Sequence, residues 1–498
     1  MAALVAVVLV GCAGTDARLL GDRDEVPPVV MIVLDELPLA SLMDRTGRID
    51  RNLFPNFARL QQDSTWFRNA MTSATFTHEV MPSLLTGSRP SERLQSAPLL
   101  PHNIFTLLSG THDLYTTQPF PRFCPSELCR DIPPAPVDEP LRNEWPAFTA
   151  GERGEKFLSL ASFLEPTLRP RLYFAHFVMP HQPWAYMPSG ERYPAAELLP
   201  GQVDVPGRGK GWTNHWWLTA QAMQRHLLQT RFTDGLLGAL LDRMKETEIY
   251  DDALVIVTAD HGIAFETGLP KRIATPTTAG QLAPVPLLVK RPHQRAPKIS
   301  DAPVEVIDIT PSIADVVGLP YKWSEVDGRS LFHRKGARPP ERSVNGIALS
   351  PNLAEVYDAV ELKYRMFARE GDSIDLLRPG SPSIRDAIGR DLSEFEVVPS
   401  ATSVALSNEQ MLREGRNAGG MIPSLLHGSL NGPPREGALL AVSLNGRIAA
   451  FTPTYIEGGR TNFYCMLPPR FLATDNEVEV FFVLDGTRLA QIGEVSGG

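Results

Sequence analysis

The chain has 498 residues, 43% hydrophobic and 21% charged, with 48 basic side chains against 57 acidic ones and a formal net charge of -9. That length and composition support a large buried core and more than one domain. The acidic balance, with no basic stripe, excludes the electrostatic footprint of a nucleic-acid-binding protein.

The first eleven residues are apolar, and Cys12 opens a polar stretch. About ten apolar residues fall short of the roughly twenty that span a bilayer. Leu9-Val10-Gly11-Cys12 resembles a bacterial lipobox, in which Cys12 would be acylated after signal cleavage. No Lys or Arg precedes the apolar run, although an export signal normally carries one. The end of a membrane helix from a longer chain is therefore an equal reading, and a frayed tail a third. The first two place everything after residue 25 outside the cytoplasm, against a membrane.

From residue 26 to about 335 short apolar runs alternate with amphipathic stretches, the pattern of an α/β sandwich with a mostly parallel sheet. Val29-Val-Met-Ile-Val-Leu34 runs into Asp35-Glu36, and Leu254-Val-Ile-Val-Thr258 runs into Ala259-Asp260-His261-Gly262. Continuous apolar runs of that length predict buried parallel strands. Ligands gather beyond the carboxyl ends of such strands, so Asp-Glu and Asp-His delivered to one edge predict a metal-centred site. Pro55 opens a helix at its first turn. Cys124 and Cys129 flank a Pro-containing loop and suit a small disulfide in an oxidising compartment. Arg171–Phe177 reads as a strand that runs out into Met179-Pro-His-Gln-Pro-Trp184, and residues 216–246 read as one long helix. Val285–Val289 gives a further strand, and Ile307–Val317 a helix stopped by Gly318. Residues 336–436 read as a linker and an irregular α/β extension. Residues 437–498 read as a β-rich domain, with Asn445-Gly446 between two apolar runs as a hairpin signal. Cys465 in its apolar run reads as a free core thiol.

One stretch carries a family resemblance. Pro82-Ser-Leu-Leu-Thr-Gly87 followed by Arg89-Pro90 resembles the sulfatase signature, and counting back places Thr77 at the nucleophile position. Asp35-Glu36, Pro55-Asn56-Phe57, Pro180-His181-Gln182-Pro183, Asp260-His261-Gly262, Val285-Pro-Leu287, Asp308-Ile-Thr-Pro-Ser312 and Asp327-Gly-Arg-Ser-Leu331 extend it in the same order. Together they resemble the sulfatase and alkaline phosphatase superfamily over residues 28–332. The resemblance implies an alkaline-phosphatase-like α/β/α sandwich. It also implies one divalent cation (Mg, Mn or Ca, with Zn possible) held by Asp35, Glu36, Asp260, His261 and the Thr77 hydroxyl. A second metal would need an Asp-x-x-x-His pair and a further His, which are not evident. His181 would contact a nonbridging oxygen or protonate the leaving group, and Lys271 would bind the anionic oxygens.

Two departures stand out. Formylglycine sulfatases need Cys or Ser where Thr77 stands, and the usual Arg is replaced by Leu84. Threonine nucleophiles resemble those of phosphoryl-transferring branches, in which the hydroxyl attacks phosphorus in line and a phosphothreonine is then resolved by water or an alcohol. The expected function is hydrolysis or transfer of a phosphate ester, ahead of a sulfate ester cleaved without formylglycine, on a cell-envelope glycan or lipid. The rival is a catalytically silent envelope-binding or assembly protein. Taken singly, Asp35-Glu36 would read as a helix cap and Thr77 as a loop residue. His78 reads as a surface or core histidine, His176 as a satisfied core histidine, and the Trp212, Trp216 and Trp217 cluster as core or cleft lining.

Overall fold

Continuous apolar runs become the middle of a sheet. A computed structural model describes residues 26–91, 102–118, 123–135, 152–194, 199–320, 326–333, 342–367, 386–415 and 421–494. Cys12 and the apolar N-terminal run lie outside the described residues. Among the described residues no helix is long and apolar enough to cross a membrane.

The central sheet is built from Val29–Asp35 (β1), Thr65–Phe67 (β2), Asp113–Thr117 (β3), Cys129–Asp131 (β4), Arg171–Pro180 (β5), Leu254–Ala259 (β6), Leu287–Lys290 (β7) and Lys298–Ser300 (β8). Their order is β8-β2-β7-β6-β1-β5-β3-β4. Only β7 runs against its neighbours. Every residue of β1 and β6 is buried, because helices cover a parallel sheet and leave no wet face. Pro55–Gln62 (α1), Glu152–Phe163 (α3) and the long Trp216–Glu246 (α4) pack as one group, with α3 and α4 against β5, while Thr77–Thr86 (α2) packs on Ile309–Val317 (α5). This is the expected α/β architecture.

Within residues 336–436 a helix joins the first core. Ala354–Phe367 (α6) buries Val356, Val360, Tyr364 and Phe367 in the same core as β1. Its Lys363 is fully buried and donates to the carbonyls of Ala40, Ser41 and Met43. Burial pushes that ammonium down to about 8.

A second sheet holds Glu396–Leu406 (β9), Leu425–Asn431 (β10), Leu439–Leu444 (β11), Arg447–Pro453 (β12), Tyr455–Glu457 (β13), Arg460–Met466 (β14), Val478–Val483 (β15) and Arg488–Glu494 (β16). The order is β12-β11-β15-β16-β9-β10-β14-β13. Asn445 and Gly446 take φ of 53° and 76° at the β11–β12 turn, as a two-residue hairpin with both central residues left-handed requires. The sheet starts well before residue 437, because β9 and β10 belong to it. Val404 is the one fully buried residue of β9, so that strand has no apolar alternation to read. Cys124 and Cys129 are bonded to one another. Cys465 is free and buried, and burial pushes its thiol up to about 12.

His226 on α4 is fully buried, with Nε2 3.2 Å from Ser41 Oγ. Burial pushes its pKa down from 6.5 to about 4. The stability contributed by the neutral ring is therefore complete above about pH 6.5 and is lost as pH falls towards 4, by about 3 kcal/mol at most. His226→Gln is expected to flatten the fall in unfolding free energy between pH 7 and pH 4.5 measured by urea denaturation. Parallel pH profiles for the two proteins would show that this ring does not set the acid limb.

Candidate active site

The register of β1 and β6 decides where the acids go. Leu34 pairs with Ala259 across the two parallel strands, so Asp35 and Asp260 leave the same sheet edge side by side. The Asp260 amide donates to Leu34 O at 3.0 Å. Asp260 Oδ1 then accepts the amides of Glu36 at 3.1 Å and His261 at 2.6 Å. Oδ2 of Asp260 and Oδ1 of Asp35 have no hydrogen-bond partner although both are buried. Gly262 follows because the chain passes against the Gln281 carbonyl, and a Cβ would stand 2.0 Å from that oxygen.

His261 is oriented by a hydrogen bond from Nδ1 to Gly262 O at 2.9 Å, which leaves the Nε2 lone pair for the site. Thr77 is the first residue of α2, after an extended Phe76. Its Oγ1 lies 3.3 Å from His261 Nε2. The positive end of the helix dipole favours an anion there.

Donor atoms of Asp35, Asp260 and His261 lie within 4.8 Å of one another, and all three residues are buried. Burial first, then Asp260 and Glu36, drives the Asp35 carboxyl well above the usual range. Burial opposes ionisation of Asp260 as well, but His261 and His176 outweigh it and hold that carboxyl low. Two buried carboxylates with orphaned oxygens beside an imidazole lone pair fit a divalent cation, whose charge removes the conflict. Two oxygens and one nitrogen suit Mg, Mn or Zn.

Glu36 is close but faces another way. It takes φ of 64° as β1 ends, and Oε1 accepts Arg272 Nε at 2.9 Å and Nη2 at 2.7 Å. Burial would raise this carboxyl, yet Arg272, followed by His181 and Lys271, holds it well below the usual carboxylate range. Arg272 also donates to His181 Nε2 at 2.5 Å, and its Nη1 lies 3.4 Å from His261 Nε2. His181 therefore borders the site through Arg272 and Glu36, with Nε2 3.9 Å from Glu36 Oε2. Lys271 reaches one step further out, donating to Gln182 Oε1 at 2.7 Å.

Sequence reasoning missed Arg272. Its only signal was its place beside Lys271, in a stretch whose spacing from Asp260 is too loose to choose between neighbours. It also misjudged His176. The ring is fully buried and neither nitrogen has a hydrogen-bond partner. Nε2 lies 3.8 Å from Asp35 Oδ2 and 4.0 Å from Asp260 Oδ2. Burial pushes its pKa down to about 4. The pairing of Val33 with His176 puts the ring on the acidic side of the sheet edge. His78 is exposed. Trp212 is core, stacked on Phe265 and donating to Ala264 O at 2.7 Å, and Trp217 is buried, whereas Trp216 is 49% exposed.

A family model described as Sulfatase matches residues 27–319. The chain belongs to the sulfatase family. Human N-sulphoglucosamine sulphohydrolase is 31% identical over 144 residues, covering 27% of this chain and 28% of the relative. Human N-acetylglucosamine-6-sulfatase is 28% identical over 172 residues, covering 31% of this chain and 30% of the relative. The matched region thus spans less than a third of either curated relative. Among solved structures, a phosphonate monoester hydrolase from Silicibacter pomeroyi aligns with a TM-score of 0.42 and 18% identity over 61% of this chain and 76% of its own. A 2-O GAG sulfatase aligns with a TM-score of 0.45 and 16% identity over 64% of this chain and 77% of its own. Two of these four are hydrolases by name and the other two sulfatases.

Chelator dialysis is expected to lower the melting temperature of the wild-type protein. A cation at a hundredfold excess over its Kd adds about 3 kcal/mol. Asp260→Asn is expected to bind no stoichiometric metal by plasma mass spectrometry and to melt alike with and without chelator. Undiminished metal content in that variant would remove Asp260 from the ligand group.

Proposed function

We propose that this protein is a metal-dependent hydrolase or transferase that cleaves phosphate esters through Thr77, with sulfate esters as the second choice. The observation that carries the reading is the Thr77 hydroxyl at the start of α2, 3.3 Å from His261 Nε2 and beside the Asp35–Asp260 pair. A threonine side chain cannot yield the formylglycine aldehyde, so it must act as a hydroxyl nucleophile.

Asp35, Asp260 and His261 would hold the divalent cation, which when bound supplies charge neutralisation and makes a nearby hydroxyl easier to deprotonate. The chain's own residues do the rest. Thr77 Oγ gives its proton to solvent as it forms the new bond to phosphorus, and the bond to the ester's leaving oxygen breaks on the opposite side. The N-terminal end of α2 and the Arg272 guanidinium hold the nonbridging oxygens, with Lys271 at the rim. At rest, burial and then Arg272 keep His181 neutral, against the pull of Glu36. Its Nδ1 donates to Gln182 O and its Nε2 accepts from Arg272. An anion that engages Arg272 relieves that push, so Nε2 gains the proton it delivers to the leaving oxygen. Water or an acceptor hydroxyl then takes the phosphoryl group from Thr77, which separates hydrolysis from transfer.

The proposed target is a phosphate or sulfate ester on a cell-envelope glycan or lipid, met outside the cytoplasm beside a membrane. The lipobox-like Leu9–Cys12 run and the Cys124–Cys129 bond support that setting. The retained ligand group and the poised threonine speak against a silent protein.

Turnover of bis-p-nitrophenyl phosphate, p-nitrophenyl phosphate and p-nitrophenyl sulfate by wild type, Thr77→Ala and Arg272→Ala tests the reading. Thr77→Ala is expected to lose about 10³-fold or more in kcat on the phosphate esters. Arg272→Ala is expected to raise KM and lower kcat together, by about 10²-fold in kcat/KM. Acid-quenched wild type should carry one phosphoryl group on Thr77 by peptide mass spectrometry. Sulfate turnover that survives Thr77→Ala would overturn the mechanism, and metal-loaded protein inert towards all three esters would overturn the enzyme.

A further inference from the structure

The long helix α4 carries a polar stripe where a core helix should be apolar. Gln221, Arg225 and Gln229 stand at successive i, i+4 positions on one face, and all three are buried. Each bonds to something outside the helix. Gln221 Nε2 donates to Tyr464 O on β14 and, at 3.3 Å, to Thr452 Oγ1 on β12. Gln229 Nε2 donates to Pro180 O at 3.0 Å and His181 O at 2.9 Å, while its Oε1 accepts the Ala185 amide at 2.9 Å.

Arg225 joins the two ends. It is fully buried, and among the described residues no carboxylate pairs with it. Its guanidinium is satisfied by neutral oxygens alone. Nη1 donates to Tyr464 OH, Nε to Tyr193 OH at 3.2 Å, and Nη2 to Trp184 O at 2.7 Å. It also lies 5.4 Å and 5.8 Å from the Tyr193 and Tyr464 ring centroids. An uncompensated buried charge is costly, and an apolar side chain would fill such a core position more cheaply.

What the stripe holds is the segment bearing His181. Trp184 Nε1 donates back to Pro180 O at 3.0 Å. From the other side, Arg153 on α3 donates to His181 O at 2.8 Å, Gln182 O at 3.2 Å and Pro183 O at 3.4 Å. Every carbonyl from Pro180 to Trp184 is thus engaged, and the Trp184 one by Arg225.

We propose that Arg225 and Tyr464 are positioning residues, through which the second sheet fixes the Pro180–Ala185 segment and so aims the His181 imidazole at the leaving group. The second sheet is then part of the catalytic unit and not an appended binding module. This rests on the role given to His181 above.

The test uses the full chain with Tyr464→Phe, which keeps the ring and removes only the hydroxyl acceptor. Arg225→Lys is the second variant, and Tyr455→Phe in the same sheet is the control. Without substrate, hydrogen exchange of peptides covering residues 179–186 is expected to speed up in the first two proteins and to stay at the wild-type rate in the control. With substrate, Tyr464→Phe is expected to lose about tenfold in kcat on phenyl phosphate, several-fold less on p-nitrophenyl phosphate, with KM little changed. That skew arises only when leaving-group protonation is impaired. In a His181→Ala background Tyr464→Phe should cost nothing further on either ester. Unchanged exchange in the 179–186 peptides, or equal losses on the two esters, would overturn the proposal. If no protein turns over either ester, the function proposed above fails, and the exchange measurement still decides whether the second sheet orders the segment.

Discussion

Two carboxylates placed side by side out of water set the terms for the rest of this site. Asp35 and Asp260 arrive there because β1 and β6 are parallel neighbours in register up to Leu34 and Ala259. Neither side chain can be moved without breaking the most buried part of the sheet. Backbone amides satisfy one oxygen of Asp260 and leave the inward-facing atoms bare. A divalent cation would supply charge of the opposite sign, since the Arg272 guanidinium is already paired with Glu36. The sharp turn at Glu36 separates the two jobs. Adjacent acids leave the same strand, one towards the cation and one towards the arginine that would meet the substrate.

That division explains how a site with so many charges remains ordered. Each charged group outside the cation cluster has a fixed partner: Glu36 with Arg272, Lys271 with the Gln182 amide, and Arg153 with three carbonyls. The carbonyls of the His181 segment act as a surrogate counter-charge for two arginines. Partial charges that cannot titrate do the work a carboxylate would otherwise do, and they leave the field at the reacting centre to the acids on β1 and β6.

The parts of this arrangement that sequence displays are those with a strong local signature. Val29–Leu34 and Leu254–Thr258 announce buried strands by continuous apolar character, and Asp35, Asp260 and His261 are legible because they end those runs. Asn445-Gly446 declares its hairpin through the left-handed backbone both residues adopt. Thr77 is legible only through a motif, since nothing local distinguishes it from a loop threonine. Arg272 and the turn of Glu36 towards it are tertiary facts that no spacing encodes. The second sheet reaches back to β9 invisibly, because a half-wet strand with one fully buried residue has no period-two pattern. The stripe of Gln221, Arg225 and Gln229 went unread within the long helix, because its meaning depends on which surfaces the helix separates.

The seam of the second sheet has a further consequence. β16 and β9 pair in parallel at the middle of the eight strands, and all other pairings in that sheet are antiparallel. The sheet is thus two antiparallel halves welded by the last strand described. A chain ending before Arg488 would lose one strand of the first half and leave long unpaired edges on β9 and β15. Open edges of that kind template pairing between molecules. The last strand described therefore does two jobs: it buries Leu489 and Ile492 in the core, and it closes two edges much as a closed barrel does by geometry.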